Sequence, residues 1–580
     1  LMQPGGIRVL ERMGLGDCAK TPAIDPVMVE GYVCMTPGTP ASEDLILTYP
    51  PSDPASKSEY FGVMTPGARV RVNSAYAGGG RSGGVVATTS GSDSPRAGEG
   101  ASTDVHGVDP SPRGRSFHNH LFVQELRKRM LAEPNITVCL GTAARVLMGS
   151  ELNEPTSVFG ARGAGGKAPE DGRRFAADLD VADTMAALRT SLRPAPTFAG
   201  YDGADRSRGM KPAGAPPEVD PATKARKTLG PTPTGTIVGV SWTDADGGQH
   251  VTTARLTVVA DGMYSSLRKD LHASSPRCVS FCCGVILKHA PGKTPLPYPN
   301  RGHVLMADPH PVLLYQISAT ETRVLVDIPG DSPPPQAEMR KYFLERIAPQ
   351  MPECVRAAFI EAAKTQDYNC CGNRLLHASP ASRPGAVMIG DSWNMRHPLT
   401  GSGMTVALKD AEACFNAVRG LDLQEVLNPD FNAAIERFQT RRMYHAATLN
   451  VLATALYRVF SRPAGDNGTR ERLRAACVEY LCSGGMRTAG PVGLLAGLTP
   501  LPSVLVSHFF AVASHAMYNA LVPFPTPRSL RQAYDLLHIA CQIIMPLAKA
   551  EGVPLLSSRL VMKASDTLFP WSTVDPVAMR

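Results

Sequence analysis

Apolar and polar positions along the chain fall into strand-like, helix-like and featureless stretches. Residues 6–15 carry Ile7, Leu10, Met13 and Leu15 at helical spacing and end in glycines, which predicts a short amphipathic helix. Gly31-Tyr32-Val33 opens a strand, and Tyr49-Pro50 marks the end of the next. Residues 120–131 predict a helix with Phe122, Val123, Leu126 and Met130 on one face and Arg127, Lys128 and Arg129 near its far end. Strands are expected at 136–140, 236–242 and 251–259, a strand-rich alternating region at 277–330, and helix over 335–365. Residues 386–389 read as a buried strand. A helix starts near Ser402 and runs to about Arg419, and another covers 431–452 with Arg441 and Arg442 on its outer side. Residues 503–522 carry no charge, and 530–547 form a second mostly apolar helix, broken near Pro546.

Two tracts break this pattern. Residues 74–113 are Gly, Ser, Thr and Pro with hardly a large apolar side chain, and 150–235 are rich in Pro, Gly, Arg and Asp. Such compositions bury too little surface to offset the cost of ordering, so both read as disordered insertions, with a weak helical pattern at 181–192.

The stretch that organises the rest is residues 386–410. A short apolar strand leads into Gly390-Asp391, then Asn394 to Leu399, then Gly401-Ser402-Gly403-Met404 at the start of a helix. Glycines at a loop–helix junction let a ligand approach the backbone, and the first free N–H groups of the helix offer partial positive charge. Asp391 at the strand end can accept hydrogen bonds from ligand hydroxyls. A planar, electron-rich ligand carrying a polyol, such as a flavin, meets these demands.

Composition narrows the partners. The 580 residues suit a large two-domain enzyme, and a net charge of +7 without a basic, aromatic-interleaved stripe is no nucleic-acid signature. The 13 cysteines include the neighbours Cys282-Cys283 and Cys370-Cys371 but no C-x-x-C pair, which argues against a zinc site or redox dithiol and fits reduced thiols.

The string 390–410 closely resembles the second flavin-contacting segment of the squalene monooxygenase (squalene epoxidase) family, one of the FAD monooxygenases built like p-hydroxybenzoate hydroxylase. Further similar segments are Leu1-Met2-Gln3-Pro4-Gly5-Gly6, Val258-Val259-Ala260-Asp261-Gly262, residues 311–328, Gly490-Pro491-Val492-Gly493-Leu494-Leu495 and His508-Phe509-Phe510-Ala511-Val512. The resemblance implies an α/β, two-domain fold with a β-sheet substrate domain and C-terminal membrane-associated helices. It divides the chain into FAD-binding parts (1–35, 114–149, 236–276 and 366–420), a substrate domain (36–73 and 277–365) and a helical membrane-associated region (421–580). It assigns Tyr32 as the active-site tyrosine. Arg127, Ala143, Asp391, Gly401, Ser402, Gly403 and Met404 become FAD contacts, and Pro398, Leu399 and Phe509 substrate contacts. His120-Leu121 stands where the family usually has Gly-Arg. The family's G-x-G-x-x-G strand–turn–helix precedes the Leu-Gln-Pro-Gly-Gly segment, so the resemblance implies that this sequence starts after that nucleotide-binding half and any anchor before it.

The implied reaction is epoxidation of squalene to (S)-2,3-epoxysqualene with O2 through a flavin C4a-hydroperoxide, in sterol synthesis. Electrons would come from a separate NADPH–cytochrome P450 reductase. No metal is expected, because the cofactor carries the chemistry. An FAD hydroxylase of an aromatic or quinone substrate, and an inactive lipid-binding fragment, are the alternatives. The uncharged stretch 503–522 is long enough to cross a bilayer, but its His, Ser and Asn residues suit an interfacial position, so monotopic attachment to the cytosolic face of the endoplasmic reticulum is expected.

Overall fold

The computed structural model describes residues 1–40, 43–50, 113–150, 235–330, 332–378, 383–421, 429–461 and 468–552. The expected insertions 74–113 and 150–235, and most of 36–73, lie outside the described residues. The architecture is α/β. Its largest element is a sheet of seven strands, ordered β13-β9-β12-β11-β10-β2-β3. These are β2 (Gly31–Met35), β3 (Leu45–Thr48), β9 (Arg277–Lys288), β10 (Gly302–Leu305), β11 (Val312–Gln316), β12 (Glu321–Pro329) and β13 (Asn369–Leu375). All neighbours are antiparallel except β10 and β2.

Side chains alternate across this sheet. Val33, Val285, Leu314 and Val326 pack on Met339, Phe343 and Phe359 from α4 (Gln336–Tyr342), the turn after it and α5 (Glu353–Thr365). Tyr32, Cys34, Val304 and Met306 face the other way, into a core shared with the C-terminal helices. Being covered on both sides, β2 is buried at every residue and reads as a continuous apolar run. Strands β2 and β13 hydrogen-bond into this sheet, although the division by resemblance sets them with the FAD-binding parts.

The helices α7 (Pro429–Phe460), α8 (Thr469–Cys482), α9 (Met486–Leu495), α10 (Pro502–Leu521) and α11 (Pro527–Ala550) build that second core. Beside them lies a smaller region. It holds a parallel pair, β8 (Thr257–Val259) and β14 (Ala386–Met388), and an antiparallel sheet of β5 (Thr142–Met148), β6 (Ile237–Thr243) and β7 (Gln249–Thr253). A short pair, β1 (Val27–Val29) and β4 (Gly114–Ser116), completes the strands, and α1 (Pro4–Arg12), α2 (Asn119–Leu131), α3 (Arg268–Leu271) and α6 (Gly403–Val418) the helices. A Cβ on Gly5 would fall 2.3 Å from the Gly497 carbonyl oxygen, so only glycine lets α1 pack against the turn after α9.

Several expectations are corrected. Residues 136–140 form no strand: no described strand pairs with them, and Ile136, Val138 and Leu140 stay 45%, 38% and 55% exposed. The run 251–259 splits, because Gln249–Thr253 pairs antiparallel with β6 while Thr257–Val259 pairs parallel with β14. Helix α11 continues through Pro546 to Ala550. Arg442 is not on the outer side of α7 but 1% exposed. The cysteines are not all reduced: Cys283 and Cys370, facing each other across β9 and β13, form a disulfide.

Phe343 is fully buried, with ring centroids 5.9 Å from Phe359 and 4.8 Å from Tyr368. Phe343→Ala is expected to cost about 3–5 kcal/mol through lost burial and a residual cavity. Phe343→Leu should cost much less. Denaturant midpoints of both variants check this.

Candidate active site

The carboxyl ends of β8 and β14 lie side by side and deliver Asp261-Gly262 and Gly390-Asp391 to one place, where open parallel sheets bind ligands. Arg268 laces the two loops together. Its Nε donates to the Ser392 carbonyl at 2.8 Å, and its Nη2 to the carbonyls of Gly262 (2.8 Å), Met263 (3.0 Å) and Asp391 (3.0 Å). Ser392 Oγ donates across to Val259 at 2.8 Å. Ser266 Oγ donates to the Ala143 carbonyl at 2.6 Å, which brings the end of β5 to the same loop. The Asp391 side chain is 47% exposed, with Arg396 Nη2 3.4 Å away.

From Asp391 the chain crosses the interior before it reaches α6. Arg396, almost wholly buried, donates through Nη2 to the Asn394 carbonyl (2.7 Å) and side-chain oxygen (2.9 Å). A single 3-10 turn, Pro398–Thr400, ends at Gly401 with φ +61°, and α6 begins two residues later. The N-cap residue Ser402 makes no side-chain hydrogen bond to the first N–H groups of α6, which leaves them their partial positive charge. The Thr400 carbonyl is held twice, by Gln3 Nε2 at 2.8 Å and by the Tyr32 hydroxyl at 3.2 Å. Tyr49 donates in turn to Gln3 Oε1 at 2.8 Å. Burial pushes both phenols up, so both stay neutral donors.

The loop is anchored below by Asp410 of α6, which is fully buried. One carboxylate oxygen accepts the Gly390 N–H at 2.9 Å; the other takes His445 Nε2 at 2.9 Å and lies 3.0 Å from Arg442 Nε. The Arg442 guanidinium is 4.0 Å from the Trp393 ring centroid. That aromatic face and that carboxylate make a buried arginine tolerable, which helical periodicity alone does not reveal.

The expected residues divide accordingly. Asp391, Gly401, Ser402, Gly403 and Met404 lie on one continuous loop and helix start, while Ala143 is held by Ser266 against the neighbouring Asp261-Gly262 loop. Tyr32 and Leu399 are buried in one apolar cluster, with Phe509 packed against it, and Pro398 is half-buried on the same turn. Arg127 does not join them: it is exposed on α2, without a hydrogen bond or ion pair among the described residues. Gln3, Tyr49, Arg268, Asp410 and Arg442 were missed as site residues. The place of Arg268 at the head of the short helix that follows Asp261-Gly262 was a usable signal.

This arrangement defines an α/β protein with a candidate ligand site at a strand–loop–helix junction beside an apolar core. The squalene epoxidase family profile matches residues 253–533. Squalene epoxidase 1 of Arabidopsis thaliana is 45% identical over 322 residues, covering 55% of this chain and 59% of that protein. Squalene monooxygenase of Mus musculus is 39% identical over 321 residues, 54% of each. The squalene epoxidase of Aspergillus fumigatus is 36% identical over 340 residues, 57% of this chain and 68% of that protein. The chain belongs to the squalene epoxidase family. It spans little more than half the length of the plant and mouse relatives.

Burial pushes the Asp410 carboxyl up, but Arg442, His445 and the Gly390 N–H outweigh it and hold it below its ordinary value. Its stabilisation is therefore complete above the unfolded value of about 3.9 and is lost as pH falls through the lower folded value. Asp410→Asn, which strands Arg442, is expected to cost about 3–5 kcal/mol at neutral pH. The gap from wild type should narrow in melts recorded near pH 3.

Proposed function

We propose that this chain carries the oxygenating part of an FAD-dependent squalene monooxygenase, acting on squalene with O2 to give (S)-2,3-epoxysqualene in sterol synthesis. The observation that carries this reading is the uncapped N-terminus of α6, one turn from the apolar cluster of Tyr32 and Leu399. The residues fit the ring end of a flavin. Gly403 leaves the backbone open, with only the Arg396 guanidinium near where a Cβ would stand, the N–H groups at the start of α6 favour negative charge, and Asp391 offers a half-exposed acceptor. Arg127, exposed and unpartnered among the described residues, adds little to that fit.

Bound FAD, once reduced, supplies the activation of O2 that alkene epoxidation demands. The protein's part is positioning and drying. Gln3 and Tyr32 grip the Thr400 carbonyl and so hold the turn that presents Pro398 and Leu399. The apolar side chains around Tyr32, Leu399 and Phe509 exclude water from a hydrocarbon substrate. Electrons come from a separate reductase of the NADPH–cytochrome P450 type. In this reading β2, β3 and β9–β13 form the substrate side. The segments 113–149, 236–276 and 383–421, with α1, form the FAD side, and α7–α11 the membrane-facing region.

Attachment is monotopic, on the cytosolic face of the endoplasmic reticulum. Helix α10 is long and apolar enough to cross a bilayer. The turn between α10 and α11 and the helix ends beside it, however, carry an exposed apolar group: Tyr518 (64%), Val522 (50%), Phe524 (80%), Leu530 (55%) and Tyr534 (53%). Arg528 and Arg531 stand among them, as suits anionic headgroups.

Asp391→Ala is expected to weaken FAD retention by about 10–100-fold, the worth of lost hydrogen bonds to a charged acceptor. Fluorescence titration measures this, and gas chromatography of squalene products supplied with FAD and reductase checks the reaction; equal affinity in wild type and variant counts against the site. Phe524→Ser with Tyr534→Ser should reduce sedimentation with anionic vesicles about tenfold or more, from the apolar surface lost.

A further inference from the structure

We infer that Asp327 is a positioning residue that selects the tautomer of His397 and, through it, holds the Pro398–Leu399 turn. Asp327 on β12 and His397 at the head of the turn are each 3% exposed at the side chain. His397 Nδ1 accepts the Leu399 N–H at 3.3 Å, so that nitrogen carries no proton and Nε2 must carry it. Around Nε2 lie Asp327 Oδ1 at 3.5 Å, Ser280 Oγ at 3.4 Å and Asn373 Nδ2 at 3.3 Å. Asn373 uses its amide hydrogens on Asp327 Oδ1 (2.8 Å) and Ser280 Oγ (2.9 Å), so it is a donor there as well. The charged acceptor facing the Nε2 proton is Asp327.

The ring cannot easily swing away from this partner. Tyr457 of α7 stacks on His397 with centroids 3.8 Å apart and planes 14° from parallel, and its hydroxyl donates to Asp327 Oδ2 at 2.9 Å. His310 lies 3.5 Å from the same oxygen. Burial pushes the Asp327 carboxyl up, but His397, Ser280 and His310 hold it below its ordinary value, so it remains a charged acceptor. If the imidazole proton moved to Nδ1, two donors would meet at the Leu399 amide and the turn would have to open. The same turn carries the Thr400 carbonyl held by Gln3 and Tyr32, and leads directly to the α6 terminus. Only the statement that this turn faces a ligand rests on the function proposed above; the test below uses the chain without one.

The test is hydrogen–deuterium exchange of the peptide spanning 397–406, with peptide 353–365 as the fold control, alongside 15N-histidine spectra assigned by loss of the His397 signals. In Asp327→Asn the side-chain amide can donate to Nε2 and favour the other tautomer. Exchange at 397–406 is expected to rise at least about tenfold, as for loss of a 1.4 kcal/mol constraint, with the proton moving to Nδ1. His397→Asn can cap the Leu399 N–H through its own oxygen whatever Asp327 does. It should stay near wild type, and adding Asp327→Asn should change exchange less than about twofold, since the coupling runs through the imidazole. His397→Gln, which reaches Asp327 but lacks the cap, should resemble Asp327→Asn. Unchanged exchange in Asp327→Asn, or an equal rise with and without His397→Asn, overturns the inference. If Asp327→Asn also deprotects 353–365, the His397 variants decide: slow Asn with fast Gln supports it, and equal rates overturn it.

Discussion

An irregular segment of backbone buried inside a protein must find a partner for each of its polar groups, and residues 389–404 live under that constraint. They leave the end of β14, cross the interior with only two short 3-10 turns and reach α6 at Gly403. Their partners come from distant parts of the chain. Arg268 binds the first carbonyls, Asp410 the Gly390 N–H, and Gln3 and Tyr32 the Thr400 carbonyl. Asn450 donates to Asn394 Oδ1 at 2.9 Å and, through the same amide, to Glu551 at the end of α11 at 3.2 Å. The loop is where the sheet, the long helix, the N-terminal segment and the helical tail are joined.

Buried carboxylates do much of this joining, and their surroundings set how. Asp410 balances an arginine that also rests on an indole face. Among the described residues, Asp327 and Glu551 form no hydrogen bond or ion pair with an arginine or lysine and are met instead by Tyr457, Asn373, Asn450 and histidines. A hydrogen-bonded anion in a low-dielectric interior keeps its geometry, because each broken contact leaves a costly unpaired group. A loop held this way is rigid where a surface loop would be mobile. Rigidity suits the ligand-holding and water-excluding part proposed for this site.

The apolar side of the site follows from the same packing. Strand β2 buries both faces, giving Val33 to the sheet–helix core and Tyr32 to the core of the tail helices. The helical tail therefore packs around Tyr32 and Leu399 while its far tip carries exposed aromatic residues.

Much of this was legible in the residues themselves. The glycines at 390, 401 and 403, the apolar strand before them and the helical spacing after them marked the junction, because local backbone demands are written in local composition. Periodicity likewise found α1, α2, α5, α7, α10 and α11, but not α8 or α9. It failed at 136–140 and 251–259, where strand character depends on which neighbour is present to pair, and at Arg442, whose burial depends on Trp393 and Asp410 arriving from elsewhere. It set Cys283 and Cys370 beside their own sequence neighbours, whereas the register of β9 and β13 brings them together. Arg127 stands on α2, the helix that periodicity placed, and is exposed there. Sequence determined the glycine-marked junction and the alternation of faces, since both are properties of consecutive residues. Tertiary structure alone decided which side chains hold that junction, because hydrogen bonds between residues hundreds of positions apart exist only once the chain has closed on itself.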